Sequence, residues 1–392
     1  MTNKFVVAYI GSINGMASWC WEAAHALHEL GEEVLLVCAK DIKIPDQPAV
    51  EVLRFEPPPR ATPSNVLLRK VHSAQSLLDQ RPSHLLYELD TYLRGQATTP
   101  TAYFLNAPNF QDSRVQAPQY VVGWAYPTSF LAYVVKLGKY SKDGWKLTNT
   151  TLMTLFFLMG VYRKDWRGYR NATAVLAVSH RLGKELAAQG VNTHVVHPGT
   201  AFNTTELIPS HPPIKLLITS LDLEDRNRKR VPWMLEALKL LPKDNWTLTL
   251  VGQASNSFKT WVHTIGLPAT FTGYLPRNQV QAIMKEHDVF LFGSCLDDWG
   301  YVLVEAMCQG LCVLAPNLSP FDEIVGDVEC LYVFDSQEDF RRKLLGILTS
   351  DIGKNRYSAL RRSEQLFSRQ EFAKNLIEVF AKTHTLSTPK NS

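Results

Sequence analysis

Cysteine is scarce in this chain, with six in 392 residues, at positions 20, 38, 295, 308, 312 and 330. No Cys-x2-Cys pair occurs, which removes the common zinc-finger and zinc-ribbon patterns. Cys20, Cys38, Cys308 and Cys312 stand in apolar surroundings, where a free thiol behaves as a small hydrophobe. In a chain of this length such usage points to a reducing compartment and not to a disulfide framework. Long hydrophobic runs are missing too. The longest apolar stretch, around residues 152–161, falls short of the roughly 18–20 residues a bilayer-spanning helix needs. The start does not read as a signal peptide, because the apolar run at residues 5–10 is short and passes straight into a Gly-containing turn. Charge of one sign is missing as well: the formal net charge is +4. With no recognisable nucleic-acid-binding module, a nucleic-acid partner is not expected. No Asp-x-Asp motif stands in a suitable loop, so neither a catalytic metal nor another cofactor is implied. The expected location is the cytoplasm, with contact at the inner face of a membrane as the one open extension.

What is present is an ordinary globular composition, 45% hydrophobic and 20% charged, and a length that suits about two domains. The hydrophobic pattern alternates between short apolar runs and helical periods. Residues 5–10 form a continuous, partly β-branched run, as a strand buried on both faces requires. Gly11 and Gly15 mark the turn after it, Ser18 is placed to cap a helix over 19–30, and a strand follows at 34–38. Strand, Gly loop, helix and strand make a βαβ unit, which demands a parallel sheet. Further strands are expected at 50–55, 84–87, 102–105, 120–124, 173–178 and 194–196, with helices at 65–78 and, capped by Ser179, at 182–188.

Residues 201–213 hold four Pro or Ser positions and no period, which reads as a linker. After it the alternation restarts: strands at 215–219, 247–251, 289–292 and 311–315, helices at 233–241, 278–285 and 301–309, and helical period again at 340–348 and 371–382. The expected architecture is therefore α/β with two Rossmann-like domains facing across a cleft. The N-terminal domain spans 1–200, the linker 201–213, and the C-terminal domain 214–365. Residues 366–392 carry a helix expected to return to the N-terminal domain. In such sheets ligands bind beyond the carboxyl ends of the strands.

The segment from Ser294 to Gly310 is where chemistry gathers. A strand end leads into a loop with Asp297 and Asp298, Gly300 opens a helix, and Glu305 lies one turn in. The first amides of that helix, at Gly300, Tyr301 and Val302, suit a phosphate. Glu305 could hold a ribose diol, and Asp297 or Asp298 could read a sugar hydroxyl. Equally, two acids at a helix N-terminus can be there for the dipole alone, with Glu305 merely solvated.

This segment resembles the signature of the family 4 glycosyltransferases of the GT-B fold: an acid, seven residues, then Glu-Ala-Met and a Gly. Trp299, Gly300, Glu305, Ala306, Met307 and Gly310 match it; Asp297 stands where the family normally has Glu. Phe321-Asp322-Glu323-Ile324-Val325 resembles the family's Pro-Glu-Ile-Val segment. Residues 271–276, with Gly273 and Leu275, resemble the strand that packs by the donor base. Residues 287–294, 177–179 and 197–199 also fit. The resemblance covers most of residues 173–335 and, more weakly, 4–38.

The resemblance implies a retaining transfer of a sugar from a nucleotide-diphosphate donor to a glycan, lipid-linked or small-molecule acceptor. Glu305 would take the donor ribose and Asp297 the transferred sugar. Gly11 and Gly15 would let backbone approach the donor, although the same loop can be a plain turn. The family supplies an Arg and a Lys for the leaving diphosphate. Lys229 matches the Lys. Ser220 occupies the Arg position, so Arg226 or Arg228 would have to replace it. The family His near the reaction centre has no counterpart that can be assigned; Asn106, Trp124 and Tyr126 lie where it is expected. These departures keep a second reading open, a catalytically weak or inactive paralogue that binds a nucleotide or glycan as a partner subunit. A third is an isomerase acting on a nucleotide sugar. Residues 129–170 mix eight Lys and Arg with aromatics. That mixture suits either an anionic membrane surface or a core helix with a solvated basic face.

Overall fold

The computed structural model describes residues 2–9, 14–39, 49–55, 85–106, 111–123, 166–201, 207–295, 297–326 and 332–387. They fall into two compact units. One comprises the described residues up to Gly199 together with Arg369 onward, the other Thr200–Ser368.

The first unit is built on a seven-stranded sheet. Its strands are β1 (Thr2–Tyr9), β2 (Val34–Ala39), β3 (Glu51–Phe55), β4 (Thr98–Leu105), β5 (Gln119–Gly123), β6 (Ala174–Ala177) and β7 (Thr193–Val195), in the order 3-2-1-4-5-6-7. Every pairing is parallel. A parallel sheet is covered on both faces, so its strands must be apolar on both. Val6, Val7 and Ala8 accordingly have no exposed surface. Helix α1 (Asn14–Glu29) connects β1 to β2. It starts before the expected residue 19, so Gly15 lies in its first turn and not in the loop. A glycine there costs little, because first-turn amides have no intrahelical acceptor to lose. Helix α2 (Leu85–Gly95) occupies the segment expected to be a strand at 84–87. Leu86, Leu89 and Leu93 are buried at a helical spacing, and a run as short as Leu85-Leu86-Tyr87 cannot by itself separate strand from helix. Helix α3 (His180–Ala187) is capped by Ser179, whose hydroxyl accepts from the Leu182 amide at 3.3 Å.

The second unit has a six-stranded, wholly parallel sheet: β8 (Ile214–Asp222), β9 (Trp246–Gln253), β10 (Ala269–Gly273), β11 (Val289–Leu291), β12 (Cys312–Pro316) and β13 (Tyr332–Phe334). The order is β10-β9-β8-β11-β12-β13, which renumbered from its first strand is 3-2-1-4-5-6, the doubly wound dinucleotide-binding order. Its helices are α4 (Val231–Leu238), α5 (Asn256–Thr264), α6 (Arg277–Lys285), α7 (Tyr301–Cys308), α8 (Phe321–Val325), α9 (Gln337–Thr349) and α10 (Ile352–Phe367). Strand order reverses between β8 and β11, and a ligand-binding crevice is expected beyond the carboxyl ends of those two strands.

The last helix, α11 (Arg369–Ser387), belongs to the first unit. Phe372 meets Trp19 of α1 edge-on at 5.6 Å, and Phe380 meets Phe5 at 5.2 Å. Arg369 bonds Glu22 at 2.7 Å and Glu29 at 2.5 Å. The Tyr120 and Thr383 hydroxyls share a 2.5 Å hydrogen bond.

Gly11, the expected helix at 65–78, Trp124, Tyr126, residues 202–206 and most of the basic aromatic stretch, 129–165, lie outside the described residues. At the far end of that stretch Trp166 and Tyr169 are buried against each other, 5.9 Å apart. Among the described residues no helix is long and apolar enough to cross a membrane. Cys20, Cys38, Cys308 and Cys312 are buried free thiols.

Candidate active site

Two loops leave the reversal point of the second sheet. One runs from the end of β8 to α4 and carries Asp225, Arg226, Asn227, Arg228, Lys229 and Arg230. The other runs from β11 to α7 and carries Gly293, Ser294, Cys295, Asp297 and Asp298. The first is folded by its own acid: Asp225 Oδ1 accepts from the Asn227 amide at 3.0 Å and the Arg228 amide at 2.8 Å, a local competitor to regular structure. At its end Arg230 adopts φ 52°, the left-handed region that non-glycine residues rarely enter. Its Nε donates to the Gly293 carbonyl at 2.7 Å. Burial pulls this guanidinium below its usual value, opposed by the neighbouring Cys295 thiol.

The loops are joined along their backbones. The Cys295 amide donates to the Arg228 carbonyl at 2.9 Å, and its thiol donates to the Asn227 carbonyl at 3.1 Å. Gly293 permits this closeness: a Cβ there would stand 2.7 Å from the Lys229 carbonyl oxygen. Side chains complete the junction. Lys229 Nζ lies 2.5 Å from Asp297 Oδ2, and Arg228 Nη1 lies 3.6 Å from Asp297 Oδ1. Both loops thus place two cations around one carboxylate that is only 16% exposed. Arg226, the alternative to Arg228, is exposed. Ser220 ends up near the close of β8, where its hydroxyl donates to the Asp222 carbonyl at 2.7 Å.

Gly300 precedes α7 with φ 94°, packed so that a Cβ would meet the Phe321 ring at 3.2 Å. Tyr301 and Val302 form the first turn, and Glu305 lies in the next, 13% exposed. Its Oε1 accepts from Arg277 Nη2 at 2.8 Å. Arg277 is the first residue of α6, reached from β10 through Gly273 (φ 75°), Leu275 and Pro276. Sequence reasoning passed over Arg277. The signal it offered was charge placement, since a cation at a helix start opposes the dipole. Asp297, Lys229 and Arg228 are brought together; Glu305 is engaged separately, with Arg277; Asp298 sits half-buried between Asp297 and the helix. Gly15 lies on the other unit.

Residues 216–364 match the family described as glycosyl transferases group 1. The second unit is similar to the group 1 glycosyl transferases over most of its length. The match takes in most of β8, both loops, Glu305 and Arg277, and leaves the first unit outside it. The lipopolysaccharide glucosyltransferase WaaG of Escherichia coli is 30% identical over 132 residues, 32% of this chain. The chain spans about a third of the length of that curated relative, 35%. Among solved structures, sucrose-phosphate synthase from Thermosynechococcus elongatus aligns over 99% of this chain and 100% of its own, with a TM-score of 0.69 at 13% identity. HepE of Anabaena, solved in complex with UDP and glucose, aligns over 97% of this chain and 99% of its own, with a TM-score of 0.60 at 14% identity. At these identities the likeness establishes the shared GT-B fold of two parallel α/β domains.

Proposed function

We propose that this protein is a retaining glycosyltransferase that takes a sugar from a nucleoside-diphosphate donor held by the second unit. The observation that carries this reading is the pairing of Lys229 and Arg228 around Asp297 beyond the strand reversal. Breaking the bond between the anomeric carbon and the diphosphate leaves negative charge on the leaving oxygen, and fixed cations stabilise it. Lys229 takes the diphosphate, with Arg228 supplying the guanidinium that Ser220 does not. The first-turn amides at Tyr301 and Val302 hold phosphate oxygens at the positive end of α7. Glu305 accepts from the ribose hydroxyls, and the backbone from Gly273 to Leu275 lies beside the base. Asp297, released from the cations as the diphosphate takes them, accepts from a hydroxyl of the transferred sugar.

Retention follows a front-face route. The acceptor oxygen attacks from the side the diphosphate leaves, its proton passes to the departing phosphate oxygen, and the new glycosidic bond forms on the same face. In this scheme Asp297 is engaged with a hydroxyl of the transferred sugar and does not attack the anomeric carbon, so no covalent glycosyl-enzyme forms through it. No metal or other cofactor enters this scheme. The acceptor is a glycan, a lipid-linked glycan or a small molecule, met in the cytoplasm or at the inner face of a membrane.

The test is a thermal-shift and donor-hydrolysis screen over UDP-, GDP- and ADP-sugars, with Glu305→Ala alongside. UDP-glucose goes first, because a neighbour of the same fold was solved with UDP and glucose. Stabilisation by one nucleotide, lost in the variant, with slow release of free sugar, is the expected result. Stabilisation with no release even when acceptors are supplied would favour the binding-subunit reading, for which the Ser220 and Asp297 departures speak. No stabilisation by any nucleotide would sink the proposal.

A further inference from the structure

Arg277 stands where a helix gives it no reason to be. It is the first residue of α6, after Pro276, and the first turn of that helix holds no acidic residue. A cation at the amino end of a helix meets the positive end of the dipole, so the local element disfavours it. What holds it is Glu305, on α7 and 28 positions away in sequence, through a 2.8 Å bond from Nη2 to Oε1. The partners differ in exposure: the Arg277 side chain is 38% exposed and the Glu305 side chain 13%.

That asymmetry has a chemical use. A carboxylate this well covered is oriented by a charge-assisted bond, and without one a Glu side chain keeps much of its rotamer freedom. The Arg277 nitrogen on Oε1 restricts the swing of the carboxylate. Each carboxylate oxygen has room for two donors, so the pair of hydroxyls on a ribose can still be accepted while the guanidinium stays in place. Arg277 then belongs to the nucleoside site without touching the sugar that is transferred.

We infer that Arg277 is the positioning residue for Glu305, and that it sets the discrimination of ribonucleotide donors from those lacking the ribose diol. This rests on the reading of Glu305 as the ribose acceptor. The competing role is mechanical: Arg277 could merely strap α6 to α7. A strap affects every ligand alike, whereas a positioning residue affects only ligands that offer the diol.

The experiment measures dissociation constants by calorimetry for UDP, GDP and ADP, each beside its 2′,3′-dideoxy counterpart. The proteins are the wild type, Arg277→Gln, Arg277→Lys and Glu305→Gln, with a thermal melt of each. The wild type is expected to prefer the ribonucleotide by roughly tenfold or more, the scale of a charge-assisted hydrogen bond. Arg277→Gln should weaken the ribonucleotide by roughly tenfold and leave the dideoxy compound unchanged, so that the preference collapses as it does in Glu305→Gln. Arg277→Lys should recover part of it. If Arg277→Gln weakens both compounds equally, or only lowers the melting temperature while the preference survives, the positioning role is overturned and the ribose role of Glu305 stands. If the wild type itself shows no preference, or binds no nucleotide, the ribose reading of Glu305 falls and takes this proposal with it.

Discussion

At the scale of single residues, the second unit invests in one carboxylate. Asp297 is met by Lys229 at 2.5 Å and by Arg228 at 3.6 Å, two cations that lie 68 or more positions away. Under the proposed chemistry the cations matter for the leaving diphosphate, and their loss should appear in turnover. Lys229→Ala is expected to lower kcat by about 10²–10³-fold, the range for removing one preorganised stabiliser of a developing anion. The fold should survive, because Arg228 still faces the Asp297 carboxylate once Lys229 is gone. Initial rates with saturating donor, beside a melting curve, check both halves. Arg228→Ala should cost more than Arg226→Ala, since Arg228 reaches Asp297 and Arg226 is exposed. Equal losses would mean that the missing guanidinium is not replaced from this loop. The acids and the Lys were legible in the sequence because they sit in a patterned segment before a helix. Arg277 was not, because a contact between the first residue of one helix and the second turn of another has no sequence spacing. Gly293 was equally silent: it matters only because the Lys229 carbonyl lies where its Cβ would be.

At the scale of elements, what positions the site is the seam between β8 and β11. That seam is closed from below by Arg356 of α10. The guanidinium is 3% exposed and donates to the carbonyls of Gly310 at 2.8 Å and Ile208 at 2.6 Å, to the Ser210 hydroxyl at 2.7 Å, and to Asp288 at 3.2 Å. Asp288 immediately precedes β11 and also accepts from the Lys215 amide of β8 at 2.9 Å. One buried pair therefore ties the segment leading into β8, the starts of β8 and β11, and the end of α7. Removing one partner leaves the other charge uncompensated, which costs about 3–5 kcal/mol. Arg356→Met is expected to lower unfolding stability by that amount in a urea titration. A loss below about 1 kcal/mol would mean that water repairs the gap, against this account. The parallel strands of both sheets were readable because burial on two faces makes each a continuous apolar run. The segment at 84–87 was misread for the converse reason, since three apolar residues in a row fit one turn of helix as well as a strand. Helices α5 and α10 went unseen: α5 buries only Phe258 and Val262, and in α10 the polar Asn355, Arg356 and Ser363 occupy buried positions and break the apolar period.

At the scale of the whole molecule, the two units share one topological plan, and each carries histidines that its interior keeps neutral. In the second unit His287 is 8% exposed; Nδ1 donates to the Ile283 carbonyl and the Thr249 hydroxyl donates to Nε2, both at 2.7 Å. In the first unit His25 donates through Nδ1 to the Trp21 carbonyl at 2.9 Å, and His194 lies near Lys382. Burial lowers the values of all three, with Lys382 adding to the effect at His194 and Arg369 at His25. A histidine whose folded value is depressed binds its proton more readily when unfolded. Its contribution is therefore fully present above the unfolded value of about 6.5 and is lost as the pH falls from there through the folded value. For His287 the slope cannot exceed about 1.4 kcal/mol per pH unit, one proton's worth. Protonation at Nε2 also forces the Thr249 hydroxyl to turn and accept. Unfolding free energies are accordingly expected to be level from pH 8 to about 7 and to fall between about 6.5 and 5, above the range where most carboxylates titrate. His287→Gln should be less stable throughout but flatter across that interval. A wild-type curve that stays level to pH 5, or a variant as steep as the wild type, would show that these rings take up their protons inside the fold without strain.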